Sequence, residues 1–454
     1  MQQLIDPVTA LVSGAVRFAS FTDLDVAVAA ARIGLEAWSG STLEERREVL
    51  RRLERAVDTH AGELTLALSH DIGCPVSTAS FVQVQLPLRN LRAIREGLES
   101  VEWQTTIAHS LVRRVPIGVV ACITPWNAPV HQILAKVAGV IAAGGTVVLK
   151  PSEIAPRSVM LLAGMIDEIE LPPGVFNFVW GDSELGQHLV THPGIDMVSF
   201  TGSSEVGRKV MVAAGAHLKP VALELGGKSA GIVLRDADLQ VAVPAVFRQA
   251  MLHSGQTCVC QSRLLVPRER MAETMEIIAH AATEIRTGDP LDPHTNLGPL
   301  ATAAQFARVG GMVERARAGG ARSVLEVDRS PAQRHGFFFP PTVLADVDPA
   351  SELGQREVFG PVVALMGHDG DDDAVRIANS TPFGLSGAVW SADASVAERV
   401  ARRLRTGQVS LNGAPGNLAA PAGGFGSSGF GRENGRFSIE AFTAWQAIHT
   451  PVAA

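Results

Sequence analysis

One of the four cysteines in this 454-residue chain, Cys258, lies in a segment suited to covalent chemistry. It closes the run Gly255-Gln256-Thr257-Cys258, a small, polar stretch that follows a helix-like segment. Structural packing is the commoner fate of a cysteine. A loop of this composition would instead keep the sulfur accessible and supply backbone N–H donors. A thiolate is both a nucleophile and a good acyl leaving group, so a hemithioacetal formed there can be oxidised to a thioester and then released. Cys260, two residues on, is either a spare thiol or a packing residue. Cys74 and Cys122 read as packing residues.

Glu224 is the second candidate, in Leu223-Glu224-Leu225-Gly226-Gly227-Lys228. It is either an exposed strand end or a carboxylate among apolar neighbours. In the second case its pKa rises, as a general base requires. Asn127 follows a strand in Pro125-Trp126-Asn127. The triplet reads as a turn, or as an amide donor for a developing oxyanion. Lys150-Pro151-Ser152-Glu153 and Phe200-Thr201-Gly202-Ser203 each end a strand. Ligands of open α/β sheets bind at such ends, and helix N-termini accept phosphates. Gly181, Ser183 and Gly186 give only a partial echo of the Gly-x-Gly-x-x-Gly fingerprint.

The elements that must position these residues are legible as patterns. Leu24, Val26, Val28, Ala29, Ile33 and Trp38 give helical spacing over 23–38, and Thr42-x-x-Glu45 is a capping box opening a helix through about 69. From residue 116, apolar runs at 118–124, 146–149, 176–179, 197–200 and 220–223 alternate with amphipathic segments at 129–143, 155–169, 183–191 and 204–214. That alternation predicts a parallel sheet covered on both faces. Strands at 232–234, 262–266, 361–366 and 386–390, with helices near 238–254 and 270–284, predict a second doubly wound region. Asp369–Asp373 reads as a solvated turn, and the Gly-, Ser- and Pro-rich residues 406–431 as loop.

Composition narrows the function. Formal net charge is −7 and 46% of residues are hydrophobic, which argues for a folded chain and against nucleic-acid binding. Few cysteines suit a reducing compartment, and residues 1–20 lack a secretory pattern. Residues 115–135 carry no charge, but Pro116, Pro125, Asn127, Pro129 and Gln132 interrupt them, so no membrane span is expected. The expectation is a soluble, cytoplasmic protein without a metal. Only five of the 39 Lys+Arg residues are lysines: Lys136, Lys150, Lys209, Lys219 and Lys228. Where arginine supplies ordinary surface charge, each remaining lysine is a candidate for a role arginine does not fill.

Together these segments resemble the aldehyde dehydrogenase superfamily, from about residue 5 onward. Glu224 and Cys258 stand 34 residues apart, as that family's base and nucleophile do. Glu357-Val358-Phe359-Gly360-Pro361-Val362, Asn412-Gly413 and Ser428-Gly429-Phe430-Gly431-Arg432-Glu433 add matches in the same order, and Lys136, Lys150 and Lys228 fall inside the matching motifs.

The resemblance implies an NAD(P)-dependent oxidation of an aldehyde to the carboxylic acid. Cys258 is then the nucleophile and Glu224 the base that activates water. Asn127 and the Cys258 backbone N–H form the oxyanion hole, and Lys136 with Glu433 belongs to a proton path. Implied cofactor contacts are Thr124, Pro125, Trp126, Lys150, Ser152, Glu153, Gly186, Phe200, Thr201, Gly202, Ser203, Leu225, Gly226, Glu357 and Phe359. Lys150 and Glu153 would hold the adenine ribose, Ser203 the pyrophosphate and Glu357 the nicotinamide ribose. Glu153 favours NAD over NADP, although Arg157 lies one turn further on. Ala128, Gln132, Ala135 and Leu252 replace bulkier residues of the substrate tunnel and imply a wide, partly polar entrance. The implied architecture is α/β, with two doubly wound domains and a small β bridging element. The Rossmann-like cofactor domain would span 1–102 and 120–226, the catalytic domain 227–430 and the bridge 103–119 and 435–454. The chain would lack most of the family's leading hairpin, and its tail would pair with another subunit of a homodimer or tetramer. A CoA-acylating enzyme is the alternative, but it has no need of a water-activating Glu224.

Overall fold

The computed structural model describes residues 2–325, 327–330 and 332–451. Strands with apolar residues on both faces form its centre. Gly429–Phe430, Val221–Glu224, Met197–Thr201, Val119–Thr124, Thr146–Pro151 and Phe176–Phe178 lie side by side in that order. All pair in parallel except Gly429–Phe430. Alternate residues feed two cores. Val120, Cys122, Val147 and Leu149 pack under helices such as Leu43–Thr59 and Pro129–Ala143. Val119, Ala121, Val148 and Val198 pack under Phe21–Trp38 and Ser183–Thr191. Burial on both faces explains why these strands read as continuous apolar runs.

A second sheet of seven strands repeats the plan, in the order Arg322–Ser323, Thr342–Ala345, Val362–His368, Arg263–Pro267, Ala230–Val233, Ser386–Trp390 and Gln408–Leu411. Only its first pair is antiparallel. A third sheet joins Gln104–Ile107, Ser110–Pro116 and Thr443–His449, all antiparallel. No helix among the described residues is long and apolar enough to cross a membrane.

The structure corrects several local expectations. The capping box at Thr42 and Glu45 forms, but the helix it opens stops at Thr59, and a second runs Ala61–Ile72. Between them His60 adopts φ −98°, ψ 17°. Val57 and Leu64 are fully buried on either side of the junction, so the apolar period reads straight through it. The helix expected over 238–254 ends at Met251, because His253 and Ser254 turn left-handed (φ 49° and 54°) ahead of the Cys258 loop. Asp371, Asp372 and Asp373 are not a turn but the first turn of the helix Asp371–Ala378, where carboxylates complement the helix dipole. Residues 406–431 contain the strands Gln408–Leu411 and Gly429–Phe430. A leading hairpin is present, Gln2–Ile5 against Val12–Val16. The tail strand Thr443–His449 pairs along the whole of Ser110–Pro116 and stands at the outer edge of the third sheet. Residues 452–454 of the expected bridge lie outside the described residues.

Candidate active site

Four strands of the first sheet end on one edge and deliver the sequence motifs there. Val119–Thr124 leads to Pro125-Trp126-Asn127, and Thr146–Pro151 to Ser152 and Glu153. Met197–Thr201 leads to Gly202 and Ser203, and Val221–Glu224 to Leu225 and Gly226. The Cys258 loop comes from the second sheet's side, between the left-handed turn at 253–255 and the strand Arg263–Pro267.

Asn127 and the Cys258 loop meet directly. The buried Asn127 donates from Nδ2 to the Gln256 carbonyl at 2.9 Å. The turn after Glu224 closes on the same loop, because a Cβ on Gly227 would lie 2.4 Å from the Cys258 carbonyl oxygen. Cys258 itself is half-buried and unbridged. Burial first, then the carboxylates of Glu357 and Glu224, push its thiol up to about 12. The resting sulfur is therefore a thiol that must lose its proton as it reacts.

Glu224 is the last residue of its strand. Its Oε1 is buried without a hydrogen-bond partner among the described residues. Burial, and secondarily the Glu433 carboxylate, raise its carboxyl well above the ordinary range, while Lys136 and Arg432 pull it back. Gly423, at φ +145°, makes room for this carboxyl: a Cβ there would lie 2.8 Å from Oε1. Behind Glu224 the fully buried Lys136 pairs with Glu433 at 2.8 Å and donates to Ser199 Oγ at 3.1 Å.

Glu357 reaches the same turn from the second sheet's side. Its Oε1 accepts from the Gly227 N–H at 2.9 Å, and a Cβ on Gly226 would lie 2.3 Å from its Oε2. Burial raises its carboxyl to about 7. Phe359 adopts φ +59° and meets Trp126 edge-on, ring centroids 5.7 Å apart. Lys228, just beyond, is buried with Nζ unpartnered, and burial lowers its ammonium to about 7.

Further along the first sheet's edge the contacts are looser. Lys150 is buried, bonded among the described residues only to the Pro151 carbonyl at 3.3 Å, and lowered by burial. A Cβ on Gly186 would rest 3.4 Å from its side chain. Ser152 and Glu153 are half-buried. Ser203 caps the helix Ser204–Gly215 by accepting from Val206 N–H. Phe200, Thr124 and Leu225 are buried, and Thr124 Oγ1 has no partner. Arg157 is held away by Asp71, to which it donates from its backbone and its side chain.

On the helix after Asn127, Gln132 accepts from Thr201 Oγ1 at 3.0 Å, and Ala135 is buried. Ala128 and Leu252 are half-buried. Motif spacing did not reveal Gln83, which donates from Nε2 to the Asn127 carbonyl at 2.8 Å. Ser428 stands in a matching motif, but the spacing gave no hint of its contact: its hydroxyl donates to the Gly226 carbonyl at 2.7 Å and ties the turn to the C-terminal segment.

Comparison with known proteins agrees in one direction. Residues 1–448 match the aldehyde dehydrogenase family. The chain is 40% identical to a 3-succinoylsemialdehyde-pyridine dehydrogenase of a Pseudomonas species, over 98% of this chain and 94% of that one. It is 42% identical to a geranial dehydrogenase of Castellaniella defragrans, over 94% and 90%. Among solved structures it resembles a Cys-to-Ala mutant of aldehyde dehydrogenase C from Pseudomonas syringae in complex with NAD+ and octanal. There the TM-score is 0.98 at 42% identity, covering 100% of this chain and 94% of that one. An aldehyde dehydrogenase from Mycobacterium tuberculosis complexed with NAD+ gives a TM-score of 0.96 at 36% identity, covering 99% and 94%.

Proposed function

The chain belongs to the aldehyde dehydrogenase family, and on that footing we propose that Cys258, Asn127 and Glu224 carry out the oxidation of an aldehyde to its carboxylic acid with NAD. The observation that carries the reading is convergence. The Asn127 amide, the Cys258 loop and the Glu224 turn come from three separate chain segments and close on one another.

The sulfur of Cys258 gives up its proton to solvent water and bonds to the aldehyde carbon, whose carbonyl π bond opens onto the oxygen. Negative charge gathers on the former carbonyl oxygen, where the second Nδ2 hydrogen of Asn127 and the Cys258 backbone N–H are its donors. Bound NAD supplies the acceptor for the hydride that leaves the tetrahedral carbon. Glu224 takes a proton from water, and that water attacks the resulting thioester. The carbon–sulfur bond breaks, the acid departs and Cys258 regains its proton. A carboxyl raised above its ordinary range by burial is suited to accept and return that proton. Lys136 and Glu433, paired behind Glu224, offer the proton a path onward. The hydrolytic route is favoured over transfer to coenzyme A because Glu224 would be idle in the latter.

The edge residues fit a dinucleotide. Lys150 is a buried cation with a single weak partner, Glu357 is a carboxylate at a glycine turn, and the helix Ser204–Gly215 offers its N-terminus to a phosphate. Thr124, Pro125, Trp126, Ser152, Glu153, Gly186, Phe200, Thr201, Gly202, Ser203, Leu225, Gly226 and Phe359 complete this surface. Glu153 favours NAD, and Arg157, engaged by Asp71, is drawn away from a 2′-phosphate. Ala128, Gln132, Ala135 and Leu252 line the aldehyde entrance, and the octanal held by the P. syringae relative supports a preference for larger aldehydes.

We assign residues 1–102 and 120–226 to cofactor binding, 227–430 to catalysis, and 103–119 with 435–454 to a bridge whose tail strand offers its outer edge to a second subunit. Four free cysteines are in keeping with a cytoplasmic setting. Cys258→Ala tests the whole reading: NADH formation should vanish while NAD still quenches tryptophan fluorescence. Retained turnover would remove Cys258 from the mechanism.

A further inference from the structure

We infer that Gln83 is a positioning residue for the oxyanion hole, acting through the backbone of Asn127. This inference rests on the role proposed above for Asn127.

Gln83 lies in a π-helical turn, Ala79–Gln85, between the short helix Val76–Thr78 and the helix Leu86–Gly97. The turn has a local cause. Pro87 has no N–H, and its ring would strike the carbonyl four residues back, which is that of Gln83. Widening the turn by one residue relieves the clash, and Leu86 N–H bonds back to Phe81 in the wide pattern. Insertions of this kind re-aim side chains and recur at functional sites.

Here the re-aimed side chain is Gln83, 1% exposed, with its Oε1 left without a partner among the described residues. Leaving a buried amide oxygen unpaired is destabilising, so the placement is not explained by local stability. Its Nε2 donates to the Asn127 carbonyl at 2.8 Å. Asn127 sits between the strand Val119–Thr124 and the helix Pro129–Ala143, in neither ladder. No backbone hydrogen bond reaches its carbonyl among the described residues. Gln83 therefore holds one end of Asn127, and the Gln256 carbonyl holds the other through Nδ2.

Gln256 is itself fixed, accepting from Ala301 N–H at 3.0 Å and donating to the His253 carbonyl at 3.2 Å. The amide that faces the developing charge is thus clamped at its backbone and at its side chain. Without Gln83 the Asn127 carbonyl keeps only the buried His253 ring beside it, so the 127–128 peptide is less firmly held and the side chain shifts with it. A misplacement of about 1 Å in such a group is worth roughly 100-fold in rate.

The test is a double-mutant cycle. Gln83→Met keeps length and volume but has no donor. It should lower kcat about 10- to 100-fold while leaving KM for NAD unchanged, and in an Asn127→Ala background it should lower kcat no further. A merely structural role would lower kcat by the same factor in both backgrounds, and that result, or kcat within twofold of wild type for Gln83→Met alone, overturns the inference. If Gln83→Met does not fold, Gln83→Asn is read in the same way, since it keeps the amide but withdraws it by one methylene. Full activity of Asn127→Ala would instead refute the oxyanion role and remove the premise. That outcome differs from an inactive Asn127→Ala paired with a fully active Gln83→Met, which refutes only the positioning by Gln83.

Discussion

Replacing Glu224 by Gln changes charge with almost no change in shape, and the structure assigns the change opposite signs in the two halves of the reaction. In the second half the loss is simple. A positioned base contributes roughly 10²- to 10⁴-fold to a proton transfer, so hydrolysis of the thioester should slow by a factor in that range. In the first half burial is the main reason the Cys258 thiol stands at about 12, and the Glu224 carboxylate adds to it after Glu357. Removing it should ease ionisation of the sulfur, so acylation should not slow. A rapid-mixing trace should therefore show a burst of about one NADH per subunit, then turnover slower by about two orders of magnitude or more. Loss of the burst would reassign Glu224 to activating the thiol, and an unchanged kcat would dismiss it from catalysis.

The same substitution has a stability signature. The folded-state pKa of Glu224 is raised above its unfolded value, mainly by burial and then by Glu433. Such a group favours the fold when protonated, and that contribution is lost as pH rises from about 4.5 through the raised value. The glutamine variant would carry no such penalty, since a neutral amide replaces an acid that must ionise in a buried place. The Tm of Glu224→Gln should match wild type near pH 4 and exceed it near pH 8. A lower Tm at pH 8 would mean the carboxylate is stabilised in its charged form, and the account of its environment would fail.

Other outcomes follow from the same geometry. Alkylation of Cys258 by iodoacetamide in the cofactor-free enzyme should keep accelerating up to at least pH 10, and a plateau near pH 8 would contradict a thiol raised to about 12. Gly423→Ala would place a methyl 2.8 Å from Glu224 Oε1 and 2.7 Å from the Gly431 carbonyl; kcat should fall at least tenfold, and an unaffected kcat would show that the loop yields. KM should be lower for NAD than for NADP, with Glu153→Ala narrowing the gap; a lower KM for NADP would overturn the ribose assignment. Octanal or a benzaldehyde should exceed acetaldehyde in kcat/KM, each lost methylene contact costing about 1 kcal/mol or more. A clear preference for acetaldehyde would mean that other residues close the entrance.

What was legible in the sequence follows from how far each signal travels along the chain. The parallel strands were legible because burial on both faces writes itself as an unbroken apolar run, as in Val119–Thr124. The motifs at their ends were legible because each is a contiguous string of small and polar residues. His60 was not, because its departure from helical angles leaves Val57 and Leu64 buried in phase. Asp371–Asp373 was not, because three acids look alike in a solvated turn and at the start of a helix.

Partnership across the fold leaves no such trace. Lys136 and Glu433 pair at a separation of 297 residues, and a scarcity of lysine could single out Lys136 without naming its partner. Gln83 is the sharper case. Its polarity is ordinary in a segment reading Ser80-Phe81-Val82-Gln83-Val84-Gln85, and its partner lies 44 residues away. The nearest local clue is Pro87, which forbids a regular helix at that point but does not say which side chain the wide turn will swing inward. Glycines carry the complementary information. Gly226, Gly227 and Gly423 stand where a Cβ would meet Glu357, the Cys258 carbonyl and Glu224 in turn. A glycine next to a reacting group marks a place where two distant segments come within contact, and three of them here surround the same few atoms. Which segments meet is decided by the closure of the two sheets on each other, so the chemistry was readable residue by residue, while the clamp that aims it exists only in the folded chain.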